Sequence, residues 1–183
     1  QKDILSRGAD ELKLVMDDGK PFQDSLQTAK AIAEAVGTIG QYDLVLCGMG
    51  SSDLYFQEVG VQVGELLGVP ALNNVTGIKP AGEGVLEVER TLEDEVEVLE
   101  VPLPAVLSVS SEINTPSVPA MRDIMRAGKK PVDKLDCQGG GEPSLRILQQ
   151  LAPQQQERRK ELVEGDGEEA VDALVRFLKK EGF

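Results

Sequence analysis

The fold is decided by residues 43–67, which read DLVLCGMGSSDLYFQEVGVQVGELL. An apolar run of strand length comes first, a turn rich in glycine and serine follows at 48–52, and apolar residues at helical spacing complete the segment. We expect a strand over 42–47 and a helix over 53–67. The buried face of that helix is predicted to contain Phe56, Val59, Val63, Leu66 and Leu67. This order of strand, turn and helix is typical of a parallel α/β sheet.

The rest of the chain continues the alternation. Strands are predicted at 12–16, 70–75 and 104–109, a turn at 17–19 and a helix at 25–36. The fold class is therefore α/β, with a mostly parallel sheet and helices on both faces. Residues 85–98 alternate apolar and acidic residues, which predicts an antiparallel hairpin with one solvated face. Its glutamates have no convergent partner in the sequence, so we interpret them as a solvated strand face.

The composition changes after residue 131. Three glycines at 139–141 and three glutamines at 154–156 are typical of a flexible connector. A helix is predicted at 168–180, with its apolar residues on one side and two lysines in its last turn. We therefore divide the chain into a nucleotide-binding α/β domain at 1–134 and an arm at 135–183. The arm's helix has too little core to be stable alone, so it must dock on its own domain or on a partner subunit.

The bulk composition excludes several classes of protein. A net charge of −13 argues against nucleic acid or an anionic membrane surface as the main partner. The absence of histidine removes Ser-His-Asp and Cys-His catalysis and the commonest metal ligand. Cys47 and Cys137 form no metal-binding pattern, so reduced thiols in a cytoplasmic protein are expected. No apolar run reaches the ~18 residues of a spanning helix. We expect no catalytic residue, no metal site and no membrane span.

The turn at 48–52 is the first candidate site. A helix that follows a strand directly presents unpaired backbone amides, which together with the helix dipole bind phosphate. Ser51 and Ser52 could cap the helix or donate to a ligand, and Gly48 and Gly50 would let the ligand approach the backbone. By itself the pattern leaves two interpretations open, and an ordinary tight turn is the commoner of them.

The second candidate is residues 111–131, which read SEINTPSVPAMRDIMRAGKKP. Three prolines here oppose a continuing central strand, and four basic residues are grouped in an otherwise acidic chain. Methionines beside isolated positive charge are suited to protein docking, because Met repacks easily and charge steers encounter. A short amphipathic helix that closes over the sheet, with solvated basic residues, is the alternative. Composition leaves both open.

These residues resemble a known family. Asn114-Thr115-Pro116, followed by the run IMRAGKKP at 124–131, is similar to the signature loop of electron-transfer flavoprotein beta subunits. In that family the loop docks dehydrogenase partners through one apolar anchor. Met121 lies at the anchor's place, where leucine is usual and methionine keeps the volume. The resemblance implies docking by these residues: Met121, Arg122, Ile124, Met125, Arg126, Lys129 and Lys130.

Residues 47–60 resemble the same family. The pattern keeps Cys47, Gly48, Asp53, Val59 and Gly60, but it departs from the family at 51–52, at 54–55 and at 58, where glutamine is usual. The resemblance implies that a nucleotide is bound by Cys47, Gly48, Ser51, Ser52, Asp53, Leu54, Gln57, Glu58 and Val59. Glu58 beside a phosphate would be unfavourable by charge unless it points away or accepts a hydroxyl hydrogen bond.

Details of the pattern resemble one branch of the family. The run GSSDLY at 50–55, the opening 2–12 and the segment 163–169 are similar to the Fix-type A subunit, which is associated with carnitine metabolism. In the family, a first strand and loop precede a segment like 2–12. The resemblance therefore implies that an N-terminal part of the family domain is missing here.

The resemblance implies a function as well as a fold. The fold would be adenine nucleotide alpha hydrolase-like, and the chain would pair with an alpha-type subunit that carries the redox FAD. This subunit would hold AMP or a second FAD and pass electrons between an acyl-CoA dehydrogenase and a redox partner such as a quinone oxidoreductase. It would be an electron carrier rather than an enzyme. A stand-alone adenine-nucleotide-binding regulatory protein is the alternative. A nucleotide hydrolase or ligase would need a phosphate-loop signature near residue 1, which the sequence lacks.

Overall fold

A computed structural model of the chain describes residues 1–16, 24–136, 142–149, 151–152, 154 and 162–182. The chain divides into two compact units, Gln1–Arg146 and Ile147–Phe183. The turn predicted at 17–19, the glycines at 139–141, and Gln155 and Gln156 lie outside the described residues.

The first unit contains four helices and seven strands among the described residues. The helices are α1 (Lys2–Ser6), α2 (Ser25–Ile39), α3 (Val59–Leu67) and α4 (Met121–Ala127). The strands are β1 (Leu12–Met16), β2 (Leu44–Gly48), β3 (Ala71–Gly82), β4 (Val85–Thr91), β5 (Val96–Pro102), β6 (Ala105–Val109) and β7 (Val132–Asp136). The division that we predicted between 134 and 135 falls within β7.

The strands form two sheets. The larger has the order β2-β6-β3-β4-β5, and the smaller pairs β1 with β7. Pairing is parallel for β2–β6, β3–β6 and β1–β7, and antiparallel along the β3–β4–β5 meander. The predicted α/β class, with mostly parallel central pairing and an antiparallel hairpin, is confirmed.

Strand β6 is the centre of the core. Ala105, Val106 and Leu107 are all fully buried, because both faces of this strand are covered. Val106 packs with Ala29 of α2 and Val63 of α3 on one face, while Ala105 and Leu107 pack in the cluster built from β3, β4 and β5. A continuous apolar run is expected for a parallel strand buried on both sides.

Helix α2 covers both sheets. Ala29 packs on the larger sheet, and Ala31 and Ala35 pack against Val15 of β1 and Leu135 of β7. The helix predicted over 25–36 is therefore confirmed, and it continues to Ile39.

The predicted start of the second long helix is wrong. Helix α3 begins at Val59 rather than at residue 53, and residues 51–58 form a loop. Tyr55 and Gln57 have φ angles of 53° and 60°, which are left-handed conformations that interrupt a right-handed helix. Phe56 and Leu66, which we expected on the buried face, are exposed.

Three further differences concern the strands. Strand β7 was not predicted; it pairs along β1, where Lys13 and Asp133 form an ion pair at 2.5 Å. Strand β3 continues to Gly82, since it pairs with β4 beyond the end of β6. The hairpin at 85–98 is confirmed. On β5, however, valine is on the exposed face and an acidic residue on the less exposed one, which is the reverse of the prediction. There Val98 is 60% exposed, while the half-buried Glu97 pairs with Arg90 at 2.6 Å.

The second unit contains helix α5, Glu168–Glu181, which confirms the predicted helix within one residue. It ends at Gly182, whose φ of 96° is the left-handed conformation of many helix ends. None of its described residues is buried, and Val171, Leu174, Val175 and Leu178 are exposed. None of the described helices has both the length and the apolar character needed to cross a membrane.

Candidate functional site

A cavity of about 590 Å³ lies between the turn after β2 and the first residues of α2 and α3. Its volume lies within the ~300–1,000 Å³ typical of small-molecule and cofactor sites. The lining includes eight of the nine predicted nucleotide-binding residues: Cys47, Gly48, Ser51, Asp53, Leu54, Gln57, Glu58 and Val59. Ser52 is not part of the lining. The structure therefore brings these predicted residues around one space.

Backbone groups are open to this cavity at two places. A Cβ atom at Gly48 would meet nothing within 4 Å, so there is room for a ligand above the end of β2. Val59 and Gly60, in the first turn of α3, also line the cavity. The amides of a first helical turn have no acceptor within their helix, and the helix dipole there favours an anion. The free amides of the helix start are thus at 59–60 rather than directly after the turn.

The serines of the turn do not cap α3, since the helix begins later than we expected. The N-cap position belongs to Glu58, whose side chain makes no capping hydrogen bond. The Ser51 hydroxyl instead donates to Oδ1 of Asp53, and this bond holds the pKa of that carboxyl below its ordinary value. Asp53 is consequently a carboxylate at neutral pH.

Gly50 leaves room for a side chain of its own loop. A Cβ atom at this position would lie 2.8 Å from Cδ2 of Tyr55. The glycine therefore makes room for the Tyr55 ring, which packs over the backbone of the turn. Gly50 also lines the cavity, where we expected it to let a ligand approach the backbone.

The first turn of α2 forms the opposite side of the cavity, and we did not predict it as part of the site. Asp24, Ser25 and Thr28 line the cavity. Oδ1 of Asp24 accepts a hydrogen bond from the Gln27 amide at 2.7 Å, which caps the helix. An aspartate directly before an amphipathic run is a helix-start signal, so the cap was visible in the sequence. Its position at the cavity depends on the tertiary fold.

Asp24 also holds the segment that follows β7. Its Oδ2 accepts hydrogen bonds from the amides of Ser144 at 2.6 Å and Leu145 at 3.2 Å. Burial alone would raise the pKa of Asp24, but these amides and that of Gln27 together hold it below its ordinary value. The carboxylate is therefore charged and satisfied by backbone donors.

Glu58 is joined to both helices by side-chain hydrogen bonds. The Ser25 hydroxyl donates to Oε2 of Glu58 at 2.8 Å, and the Gln62 side-chain amide donates to the Ser25 hydroxyl at 3.1 Å. This relay fixes the end of the loop against the start of α2.

The Cys47 thiol belongs to the wall of the cavity. Burial raises its pKa, so the thiol is protonated at neutral pH. A protonated, partly buried thiol is a poor nucleophile. Cys47 therefore contributes shape rather than reactivity.

The predicted docking segment contains an irregular stretch and a short helix. Residues 111–120 are irregular, and they lead into the short helix α4. Met121 and Met125 are 73% and 72% exposed, and Ile124 is exposed as well. Val118, which lies in the predicted segment but was not named among its docking residues, is 91% exposed. An apolar surface is thus presented to solvent here, with Arg122, Arg126 and Lys129 also exposed.

Residues of α1 and of the turn that follows it form hydrogen bonds with this segment. Nη1 of Arg7 donates to the Ser117 carbonyl oxygen at 3.1 Å. The Lys130 ammonium donates to the carbonyl oxygens of Leu5, at 3.0 Å, and Ala9. Lys130 was predicted to face a partner, but its ammonium donates to carbonyl oxygens within the chain, one in α1 and one three residues after it.

The family model described as the electron transfer flavoprotein domain matches residues 1–138. The chain belongs to the electron-transfer flavoprotein family. The cavity and the predicted docking segment both lie inside the matched residues. Members of the family are electron carriers rather than catalytic enzymes.

Proposed function

We propose that the chain is the beta-type subunit of a heterodimeric electron-transfer flavoprotein, of the Fix-type A branch. It binds an adenine nucleotide in the cavity and docks an acyl-CoA dehydrogenase through residues 117–130. The redox FAD belongs mainly to the alpha-type subunit. The observation that carries this proposal is the single cavity around eight of the nine predicted nucleotide-binding residues.

The cavity fits a nucleotide by shape and by its donors. The open space above Gly48 leaves room for a ligand against the end of β2, and the first amides of α3 are suited to a phosphate. Apolar side chains such as Ile32, Leu54 and Phe56 supply walls for a base. A bound AMP would fix the loop at 51–58 and supply no redox chemistry of its own. A second FAD would supply a flavin.

The docking segment is suited to a protein partner because it is exposed and held in place. Arg7 and Lys130 bond the two ends of the segment to α1, so less conformational freedom is lost on binding. Met121 and Met125 form an adaptable apolar surface. Arg122, Arg126 and Lys129 would steer an acidic partner toward it. Electrons would then pass from the dehydrogenase to the flavin and on to a redox partner such as a quinone oxidoreductase.

Helix α5 is the proposed contact with the alpha-type subunit. Its apolar residues lie at the spacing of one helix face, and Val171, Leu174 and Leu178 are exposed. An amphipathic helix of this kind binds an apolar groove through residues three and four apart. Burial on the partner subunit would stabilise both the helix and the heterodimer.

Coexpression with an alpha-type electron-transfer flavoprotein subunit tests the proposal. We expect a 1:1 complex that contains FAD and accepts electrons from a substrate-reduced acyl-CoA dehydrogenase, as followed by flavin absorbance under anaerobic conditions. Leu174→Asp should dissociate the complex, whereas Arg176→Asp, which adds the same side chain at another α5 position, should not. A homodimer without flavin would contradict the proposal and favour the stand-alone regulatory protein.

A further inference from the structure

Glu58 is an unusual side chain for the wall of a nucleotide site. Its Oε2 accepts the hydrogen bond from Ser25, while Oε1 has no hydrogen-bond partner within the described ranges of the chain. A carboxylate oxygen is an acceptor only, so the open oxygen can bind a hydroxyl or amino group and cannot donate to a phosphate.

The position of this carboxylate is fixed by its neighbours. Ser25 begins α2 and Gln62 lies in α3, and the two form the hydrogen-bonded relay that ends on Glu58. A side chain that is already oriented loses little further freedom when it binds a ligand. Hydrogen bonds to an ionised acceptor are also stronger than those between neutral groups.

The negative charges around the cavity also disfavour a phosphate beside Glu58. Asp24, Asp53 and Glu58 all line it, and the described lining contains neither lysine nor arginine. Asp24 is satisfied by three backbone amides and Asp53 by the Ser51 hydroxyl. Glu58 differs from Asp53 in that its hydrogen bond belongs to the relay that links α2 to α3, and its second oxygen is open to a ligand. A phosphate placed near Glu58 would be repelled, and solvent at this exposed position would screen part of the repulsion.

We propose that Glu58 determines the specificity of the cavity, by accepting a hydrogen bond from a ribose hydroxyl of the nucleoside and by disfavouring each added phosphate. This inference rests on the proposed adenine-nucleotide site and narrows its ligand class to nucleosides and mononucleotides with a free ribose. The phosphate of a mononucleotide then lies on the first amides of α3, and the ribose lies toward Ser25.

Isothermal titration calorimetry of the full chain, freed of bound nucleotide, tests this with adenosine, 2′-deoxyadenosine, 3′-deoxyadenosine and AMP. Wild-type protein should bind adenosine about fivefold more tightly than at least one of the deoxynucleosides, since that ligand lacks a charge-assisted hydrogen bond. Glu58→Gln should raise the ratio of AMP affinity to adenosine affinity about tenfold, because one negative charge leaves the cavity. Glu65→Gln removes the same charge from an exposed α3 position outside the lining and should leave that ratio unchanged.

The possible outcomes separate this inference from the proposed function. Equal affinity for adenosine and both deoxynucleosides would overturn the role of Glu58, even if Glu58→Gln fails to fold. An affinity ratio that is the same in Glu58→Gln and wild type would overturn it too, while the nucleotide site itself would stand. If none of the four ligands binds, the proposed nucleotide site fails and the specificity fails with it.

Discussion

Gly60 and Ser108 approach so closely that a Cβ atom at position 60 would lie 1.9 Å from the Ser108 hydroxyl oxygen. The same Cβ would lie 3.5 Å from Cβ of Cys47. One turn later, a Cβ at Gly64 would lie 2.3 Å from Cβ of Ala71. The two glycines thus form the face on which α3 packs against the sheet, and this packing places the first turn of α3 at the cavity.

Gly60→Ala should therefore destabilise the protein. The added methyl group overlaps Ser108 on the buried strand β6, and overpacking of this kind costs about 1–3 kcal/mol of unfolding free energy. Urea denaturation followed by circular dichroism measures the effect. Gly48→Ala is the matched control, because its methyl group points into open space and should change stability by less than about 0.5 kcal/mol. Equal stability of the two variants would show that α3 does not pack as closely as described.

Lys130→Met should weaken the attachment of α1 to the docking segment. Loss of the ammonium leaves the carbonyl oxygens of Leu5 and Ala9 without their donor, which costs about 1–3 kcal/mol. Lys129→Met removes an exposed charge one residue earlier and should be nearly neutral. Hydrogen exchange of the α1 and α4 amides, together with urea denaturation, compares the two variants. Faster exchange in Lys129→Met alone would show that Lys129, and not Lys130, attaches α1 to the segment.

Asp24 should make stability depend on pH in the acid range. Its pKa in the folded protein is held below the ordinary value of 3.8 by backbone amides, although burial opposes this. Such a carboxylate stabilises the fold fully above the unfolded-state pKa, and the contribution is lost as pH falls through the folded-state pKa. Asp24→Ala should therefore be less stable than wild type by about 1–2 kcal/mol at pH 7. The difference should shrink below pH 3.8, and a difference that grows in acid would contradict the assignment.

Met121→Ala should impair docking and leave the nucleotide site intact. Removal of a central exposed anchor should lower kcat/KM for electron transfer from the dehydrogenase by about tenfold, while the nucleotide content stays unchanged. Val98→Ala truncates a similarly exposed apolar residue on β5 and serves as the control. Unchanged transfer in the Met121 variant would remove it from the anchor role, and a loss of nucleotide would indicate a folding defect instead.

The elements that could be predicted from sequence are those in which the spacing of the apolar residues matches the face that is buried. Helix α2 and strand β6 are of this kind, since their apolar residues face the core as their spacing requires. The start of α3 was misplaced because apolar spacing continues back through Phe56. The left-handed conformations of Tyr55 and Gln57 prevent the helix from extending back past Val59. Neither residue is a glycine, so the sequence gives no sign of these conformations. Strand β7 is mostly polar, and its pairing with β1 is a long-range property.

The candidate site was predicted on one side only. The strand, turn and helix at 43–67 have a local signature that indicated a possible phosphate site at the turn, and the resemblance to the family supplied the residues from Cys47 to Val59. Asp24 and Ser25 reach the same cavity from a helix that begins more than 20 residues earlier, which only the tertiary fold reveals. Lys130 has a similar explanation. Its charge suggests a docking residue, but its partners are backbone carbonyls more than 100 residues away.

The nucleotide content of the complex with an alpha-type subunit is the most direct test of the central claim. The protein is copurified with that subunit, denatured, and its released nucleotides are separated and quantified. We expect one FAD and one AMP per heterodimer, with the AMP lost when Gly48 is replaced by a residue that fills the cavity. Two FAD per heterodimer would mean that this cavity holds a second flavin. A heterodimer with one FAD and no further nucleotide would contradict the claim that the cavity at 47–60 is a nucleotide site.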